Sequence, residues 1–540
     1  MGLEWQPRSV PPELAERYTA QGLWTGETLG QVLAASLAAK PGQTFTFRSD
    51  VRPWSGTFAD VLDASRRVAG GLARRGVGPG DVVAFQLPNW MEAALTFYAA
   101  SLLGTVIVPI VHFYGAKEVR YILERSGARV LVTADAFRGT DYLASLDAFV
   151  DDLPALEWIA VVGDAGAGRW SPFVELLEGE PVPAAFAVEP ASPALVAWTS
   201  GTTADPKGVV HSHRTIVAEA RQLAAAREGP PALVGAPVGH AIGMLAALLL
   251  PLVEGEPVHL IDVWDPGAVL AAMAKDRISM SGGATFFLTS LLDHPDFGPE
   301  HLALLPQVGM GGAPVPRAVA DRAAALGISM IRMYGSTEHP STTGSTHTGD
   351  PPEKGRYTDG RPLAGVEMRV VDDAGADLAP GTAGEILSRG PDCFEGYTDP
   401  GLTAAAFVED GWYVTGDVGV LDEDGYLTIT DRKKDIIIRG GENISAAEVE
   451  ELLLRLPGVA EAAVVAAPDA RFGEHACAFV RVLPGADVPS LELVRSHLAA
   501  AGLGRQKWPE ELQVTTDFPR TASGKVQKYV LREQLRAVNA

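Results

Sequence analysis

Only two cysteines, Cys393 and Cys477, occur in 540 residues, which excludes a disulfide framework and fits a reducing compartment. Positive charge is also scarce: 44 Lys and Arg stand against 67 Asp and Glu, a formal net charge of −23. A surface of that sign repels nucleic-acid backbones and anionic lipid. It does not exclude small anions, which one local cluster of donors can hold. Long apolar runs are missing too. The longest, Ala241 to Val253, spans 13 residues and contains Gly243 and Pro251, short of the ~20 needed to cross a bilayer. The first residues, Met1 to Gln6, lack an apolar signal core. No repeat, low-complexity tract or long linker interrupts the chain. These absences lead us to expect a cytoplasmic protein with no nucleic-acid partner and no transmembrane segment.

What is present is a large apolar fraction. Apolar residues make up 47% and charged residues 21%, the balance of a chain with a substantial core. The length exceeds the ~250–300 residues at which one core stops growing, so at least two domains are expected. Residues 58–190 alternate helical and strand patterns. The spacing predicts a helix over Phe58–Arg75, a buried strand over Asp81–Leu87, a helix over Trp90–Leu103, a strand over Leu195–Trp198 and a helix over Thr215–Arg227. Such alternation implies βαβ units and a largely parallel sheet. After Asp417 the pattern changes. Leu421–Thr430 alternates around Asp424-Gly425, a hairpin signal. Ser445 to Glu448 forms a capping box that starts a helix, and Pro457-Gly458 ends it. The last ~100 residues suffice for a small αβ domain. We therefore expect domains over 1–433 and 434–540, with the boundary at Lys434.

Thr199 to Gly208 is the densest chemical signal. It holds Thr199, Ser200, Gly201, Thr202, Thr203, Lys207 and Gly208 within ten positions. Glycines let the backbone approach an anion, hydroxyls and N–H groups donate, and the lysine adds charge. A polar turn is the competing reading, but turns rarely combine this hydroxyl density with a lysine. The loop is expected to follow a strand and precede a helix, a common phosphate setting. A Walker A loop is excluded because Pro206 precedes Lys207 and Gly208 follows it, and Gly309 to Pro314 fails the dinucleotide pattern.

The loop resembles the signature of the adenylate-forming superfamily, which spans acyl-CoA synthetases, peptide-synthetase adenylation domains and luciferases. The usual pattern has Gly where this chain has Ala204. Further motifs resemble that family in its order. Tyr334-Gly335-Ser336-Thr337-Glu338 is similar to its second core motif, and Gly311 with Gly312-Ala313-Pro314 to its adenine-pocket segment. Tyr413 to Asp417 is similar to its ribose motif, Asp431 to Asp435 to its hinge and Arg439 to Asn443 to the strand after it. Pro519 to Lys525 is similar to its catalytic-lysine motif. Glu338-His339-Pro340 is similar to bacterial ligases for fatty and alicyclic acids.

The resemblance implies an α/β fold: a large N-terminal AMP- and acyl-binding domain of mixed parallel sheets and packed helices, with a small mobile α+β catalytic domain. It implies ATP, Mg2+ and coenzyme A as cofactors and a carboxylic acid as substrate, converted to an acyl-CoA through an acyl-adenylate. By the same resemblance, Lys525 bridges carboxylate and α-phosphate, Thr337 donates to the phosphate and Glu338 holds Mg2+. Tyr334 stacks on adenine, Asp417 and Arg432 bind ribose, Lys434 is the hinge, and Gly440 and Gly441 line the pantetheine path. His240, Gly309 and Gly311 would line the acyl pocket, although His240 reads equally well as a core histidine. His211 and His213 sit like a metal pair, but no third ligand is near in sequence. Three rivals stay open: a carrier-protein arm as acceptor, a luciferase-like oxygenase, and a nucleotide-binding protein without turnover.

Overall fold

The computed structural model describes residues 7–166, 169–199, 206–227, 229–345, 349–439, 442–469, 471–521 and 524–539. Its first half is built around one helix. Met91–Leu103 is apolar on every face, and Glu92 alone escapes full burial. A helix of that composition must be enclosed. One hydrophobic cluster joins its side chains to Val83, Phe85 and Ile107 on one sheet and to Phe45, Phe47 and Leu260 on another. Gly104, at φ +67, stops the helix in the left-handed conformation that favours glycine. The neighbouring helix Phe58–Arg74 starts at a capping box. Asp60 N–H donates to the Thr57 hydroxyl, and Thr57 N–H donates to the Asp60 carboxylate at 2.8 Å.

The first sheet has eight strands, with Val106–Ile110, Val82–Gln86 and Val130–Ala134 parallel at its centre. Pro193–Thr199 pairs parallel to Val106–Ile110 and antiparallel to Lys207–Ser212, which pairs in turn with Gly396–Tyr397. The second sheet has five strands, Ser279–Met280, Ala232–Val234, Val258–Ile261, Thr44–Arg48 and Trp54–Thr57 in that order. Beyond its edge, a bridge from Gly283 to Met310 leads to the parallel pair Gln307–Met310 and Ser329–Arg332. An antiparallel sheet over 367–432 follows, containing Trp412–Leu421 and Leu427–Arg432.

Strands between Ile437 and Val514 form a separate sheet with a hydrophobic cluster on each side, one around Ile437, Val449, Val480 and Leu498, the other joining Val465 and Phe479 to Leu531 of the last helix. Its polar ties to the rest include Arg317 N–H to Glu451 and Ser445 Oγ to the Thr430 carbonyl. Among the described residues no helix is long and apolar enough to cross a membrane.

The predicted elements fall close to where the pattern put them, at Phe58–Arg74, Val82–Gln86, Met91–Leu103, Pro193–Thr199 and His213–Ala226. One expectation needs correction. The loop after Thr199 leads into a strand, Lys207–Ser212, and not into a helix. Val209 and Val210 are buried and β-branched, so this stretch completes the sheet before Ser212 caps the helix that begins at His213.

Candidate active site

Thr199 and Lys207 face each other across the antiparallel pair, at the mouth of the phosphate loop. Ser200, Gly201, Thr202 and Thr203 lie outside the described residues, as do Gly440 and Gly441. Lys207 Nζ lies 5.4 Å from the ring centroid of Tyr397. Tyr397 donates its hydroxyl to Glu338 Oε1 at 2.8 Å. Burial, reinforced by Glu338, pushes the Tyr397 phenol well up, so it stays a donor. Tyr397 is 59 positions from Glu338, and no local motif announces it.

The turn carrying Thr337 and Glu338 leaves the strand Ser329–Arg332 and is fixed from several sides. A Cβ on Gly335 would lie 1.8 Å from the Pro340 carbonyl oxygen, so only glycine fits. Ser336 N–H donates to the His339 carbonyl at 3.0 Å, and Phe394 N–H donates to the Glu338 carbonyl at 2.8 Å. His211 Nε2 lies 2.8 Å from the Thr337 carbonyl oxygen. Burial lowers the His211 pKa, so the neutral ring with its proton on Nε2 is the donor. His211 therefore holds the turn from beneath, and among the described residues no cluster of three metal-ligating side chains exists.

A second support is wholly buried. His339 Nδ1 meets Ser388 Oγ at 2.9 Å and Nε2 meets Asp392 Oδ1 at 3.2 Å. Ser341 Oγ donates to Glu219 Oε1 at 2.6 Å. Burial, with Asp392 nearby, drives Glu219 well above the carboxylate range, so it is neutral. Burial also opposes ionisation of Asp392, yet His339 holds it below its usual value. Sequence inspection missed Glu219 and Asp392 because their partners come from distant elements.

At the other end, Asp417 Oδ2 accepts from the Tyr334 hydroxyl and Oδ1 from Arg432 Nε, both at 2.7 Å. Asp417 and Arg432 are direct partners across the pair of strands that leads to Lys434. Burial, followed by Arg432, lowers both Lys434 and Lys525 to about 8. Asp417 and Glu338 pull Lys525 the other way, which puts all three around one centre. Lys525 sits in a turn closed by Thr521 N–H to the Lys525 carbonyl at 2.7 Å. His240 is pushed to about 4 by burial and then by Lys525. It is neutral at pH 7, and its Nδ1 accepts from Ile242 N–H at 3.4 Å.

Lys207, Tyr397, Glu338, Tyr334, Asp417, Arg432, Lys434, Lys525 and His240 line one cavity of about 2450 Å³ that also reaches Gly309, Gly311, Gly312, Ala313 and Pro314. Gly312 has φ +77, and a Cβ there would press on Ile242 at 2.8 Å. Gly309 differs: its Cβ would meet only Gly282 Cα, at 3.8 Å. The cavity thus brings Thr199, Lys207, His240, the Tyr334–Glu338 turn, Asp417, Arg432, Lys434 and Lys525 to one place.

The AMP-binding enzyme family matches residues 33–398, and the AMP-binding enzyme C-terminal domain matches residues 448–525. The chain belongs to the AMP-binding enzyme family. Among its relatives, the medium-chain fatty-acid–CoA ligase of Escherichia coli (strain K12) is 35% identical over 96% of this chain and 92% of that one. A methyl-dioxo-octahydroindenyl-propanoyl:CoA ligase of Rhodococcus jostii is 37% identical over 88% and 93%. ATP-bound MatB from Rhodopseudomonas palustris superposes with a TM-score of 0.84 at 28% identity, covering 95% of this chain and 100% of MatB. Apo MatB superposes with a TM-score of 0.73. This AMP-binding enzyme is an ATP-dependent acid–thiol ligase that makes an acyl-CoA through an acyl-adenylate.

Proposed function

We propose that this enzyme activates an apolar carboxylic acid, of medium or long chain, alicyclic or aromatic, and that its halves divide at Lys434. The observation that supports the reading is the single cavity holding Lys525, Glu338, Asp417 and the glycine-lined recess at Gly309. A carboxylate is a poor acyl donor. Its attack on the α-phosphorus of ATP expels pyrophosphate and leaves AMP as the group to be displaced by the CoA thiol. The protein's part is positioning and charge neutralisation. Lys525 holds carboxylate and α-phosphate together, Lys207 and Thr199 with its loop take the β- and γ-phosphates, and Thr337 donates to the α-phosphate. Asp417 and Arg432 take the ribose hydroxyls, against the ring of Tyr334. A Mg2+ ion needs only one or two carboxylates besides the phosphates, and Glu338, oriented through Tyr397, fits that need; the ion supplies neutralisation of phosphate charge. His240, Gly309 and Gly311 face the acid. Rotation at Lys434 then exchanges Lys525 for the strand carrying Gly440 and Gly441, the thiol path.

The test is pyrophosphate release from MgATP across acids from acetate to long-chain, alicyclic and aromatic, with and without CoA. Multiple turnovers that require CoA are expected. One equivalent that CoA fails to accelerate would replace CoA with a carrier-protein arm. Release with no acid of the panel would overturn the substrate class.

Gly309 gives a sharper check. Gly309→Leu should fill the recess, its Cβ in ordinary van der Waals contact with Gly282 Cα at 3.8 Å. We expect kcat/KM for a long or bulky acid to fall about 10–100-fold with acetate or butyrate almost unaffected, measured by acyl-CoA formation. Equal loss for all acids would place Gly309 away from the acyl chain.

A further inference from the structure

The cavity does not end at His240. It continues between two helical segments, His213–Ala226 and Ala241–Glu254, which pack against each other. Leu223 on the first and Leu245 and Leu250 on the second line this extension, with Met280 and Val308 from the strands beneath. From Glu219 to Arg227 the helical rise alone spans ~12 Å. Leu223, Ala226, Leu245, Ala246 and Leu250 make the helical walls beyond Glu219 apolar, and charge appears where both segments finish. There Arg227 Nη1 meets Glu254 Oε2 at 2.6 Å, and Arg227 Nη2 donates to the Pro230 carbonyl at 2.6 Å. The two side chains are 22% and 13% exposed, on the threshold between cavity and solvent. Glu254 is the last residue before Gly255, whose φ of +70 turns the chain away.

We propose that the Arg227–Glu254 ion pair closes the distal end of the acyl pocket and sets the longest chain the enzyme accepts. The inference rests on the acyl-activating reading above. The methyl end of a saturated chain offers the pair no hydrogen bond. To pass, it must separate two partly buried charges and leave each unpartnered, which is costly. A chain that stops short keeps the pair intact and buries its methylenes against Leu223, Leu245 and Leu250. Length is therefore limited by electrostatics at the far end, while the recess at Gly309 limits width.

The experiment compares wild type with R227A/E254A, using saturated acids from hexanoate to stearate and acyl-CoA formation as readout. The ratio of kcat/KM for palmitate over hexanoate should rise about tenfold or more, with hexanoate activity within twofold of wild type, because neither residue touches the reacting atoms. An unchanged ratio in an active variant overturns the proposal and leaves the ligase reading intact. A wild type that forms no acyl-CoA from any of these acids overturns the chain-length proposal and narrows the ligase reading to alicyclic and aromatic acids. If the alanine variant fails to fold, R227M/E254M removes the charges at similar volume, and the same ratio decides.

Discussion

Lys525→Ala is expected to lower acyl-adenylate formation about 10²–10³-fold, the magnitude of one preorganised donor at a reacting centre, and to leave thioester formation from supplied acyl-adenylate and CoA near the wild-type rate. Two assays check it: pyrophosphate release for the first half-reaction, and thioester appearance from synthetic acyl-adenylate for the second. Loss of both would contradict the division of labour between Lys525 and the strand beyond Lys434. The side chain's environment adds a pH signature. Burial and Arg432 lower Lys525 to about 8, and the working form is the protonated one. Adenylation kcat/KM, which reports the free enzyme, should therefore fall as pH rises through about 8. Bound ATP brings negative charge to the amine and favours its protonated form, so kcat should fall at a higher pH. Lys525→Arg stays charged and should flatten the profile. Lys434 is lowered to about 8 as well, and a profile that survives in Lys525→Arg would assign the titration to it instead.

Glu338→Gln should lower adenylation about 10²–10³-fold while the fold holds. The amide oxygen still accepts from Tyr397 as the carboxylate Oε1 does at 2.8 Å, so the turn keeps its anchor. What is lost is the negative charge for Mg2+. The discriminating readout is the Mg2+ requirement: half-maximal activity should move to higher Mg2+ with the thermal midpoint within a few degrees of wild type. A large drop in thermal midpoint with an unchanged Mg2+ requirement would make Glu338 a structural residue.

The distribution of what the sequence revealed follows from chain locality. Tyr334 to Glu338, Asp417, Arg432 and Lys525 each sit in a short stretch that resembles a family motif, and all of them line the one cavity. The buried helix Met91–Leu103 was legible because its composition allows no exposed face. Tyr397, Glu219, Asp392 and the role of His211 were not, because each works through a partner more than fifty residues away, and only the folded chain makes the pair. The setting of the loop after Thr199 was misread: buried Val209 and Val210 extend the sheet where a helix start was expected. The polar break Arg432 to Asp435 lies where the strand Leu427–Arg432 ends and Ile437–Arg439 begins.

The last helix, Lys528–Asn539, is tied back to the base of its own domain. Arg532 meets Asp435 at 2.8 Å, and Lys528 meets Glu450 at 2.7 Å, all four side chains well shielded. All four residues lie beyond Lys434, so under the rotation proposed there the ties would travel with the part that turns. The turn at Lys525 and the strand Ile437–Arg439 would then move as one lever, and withdrawal of the lysine and arrival of the thiol path would be a single event with two ends. On that reading the enzyme is an escapement: while one step is engaged the other is locked out, and the reactive mixed anhydride meets its second partner only after the first has been carried away.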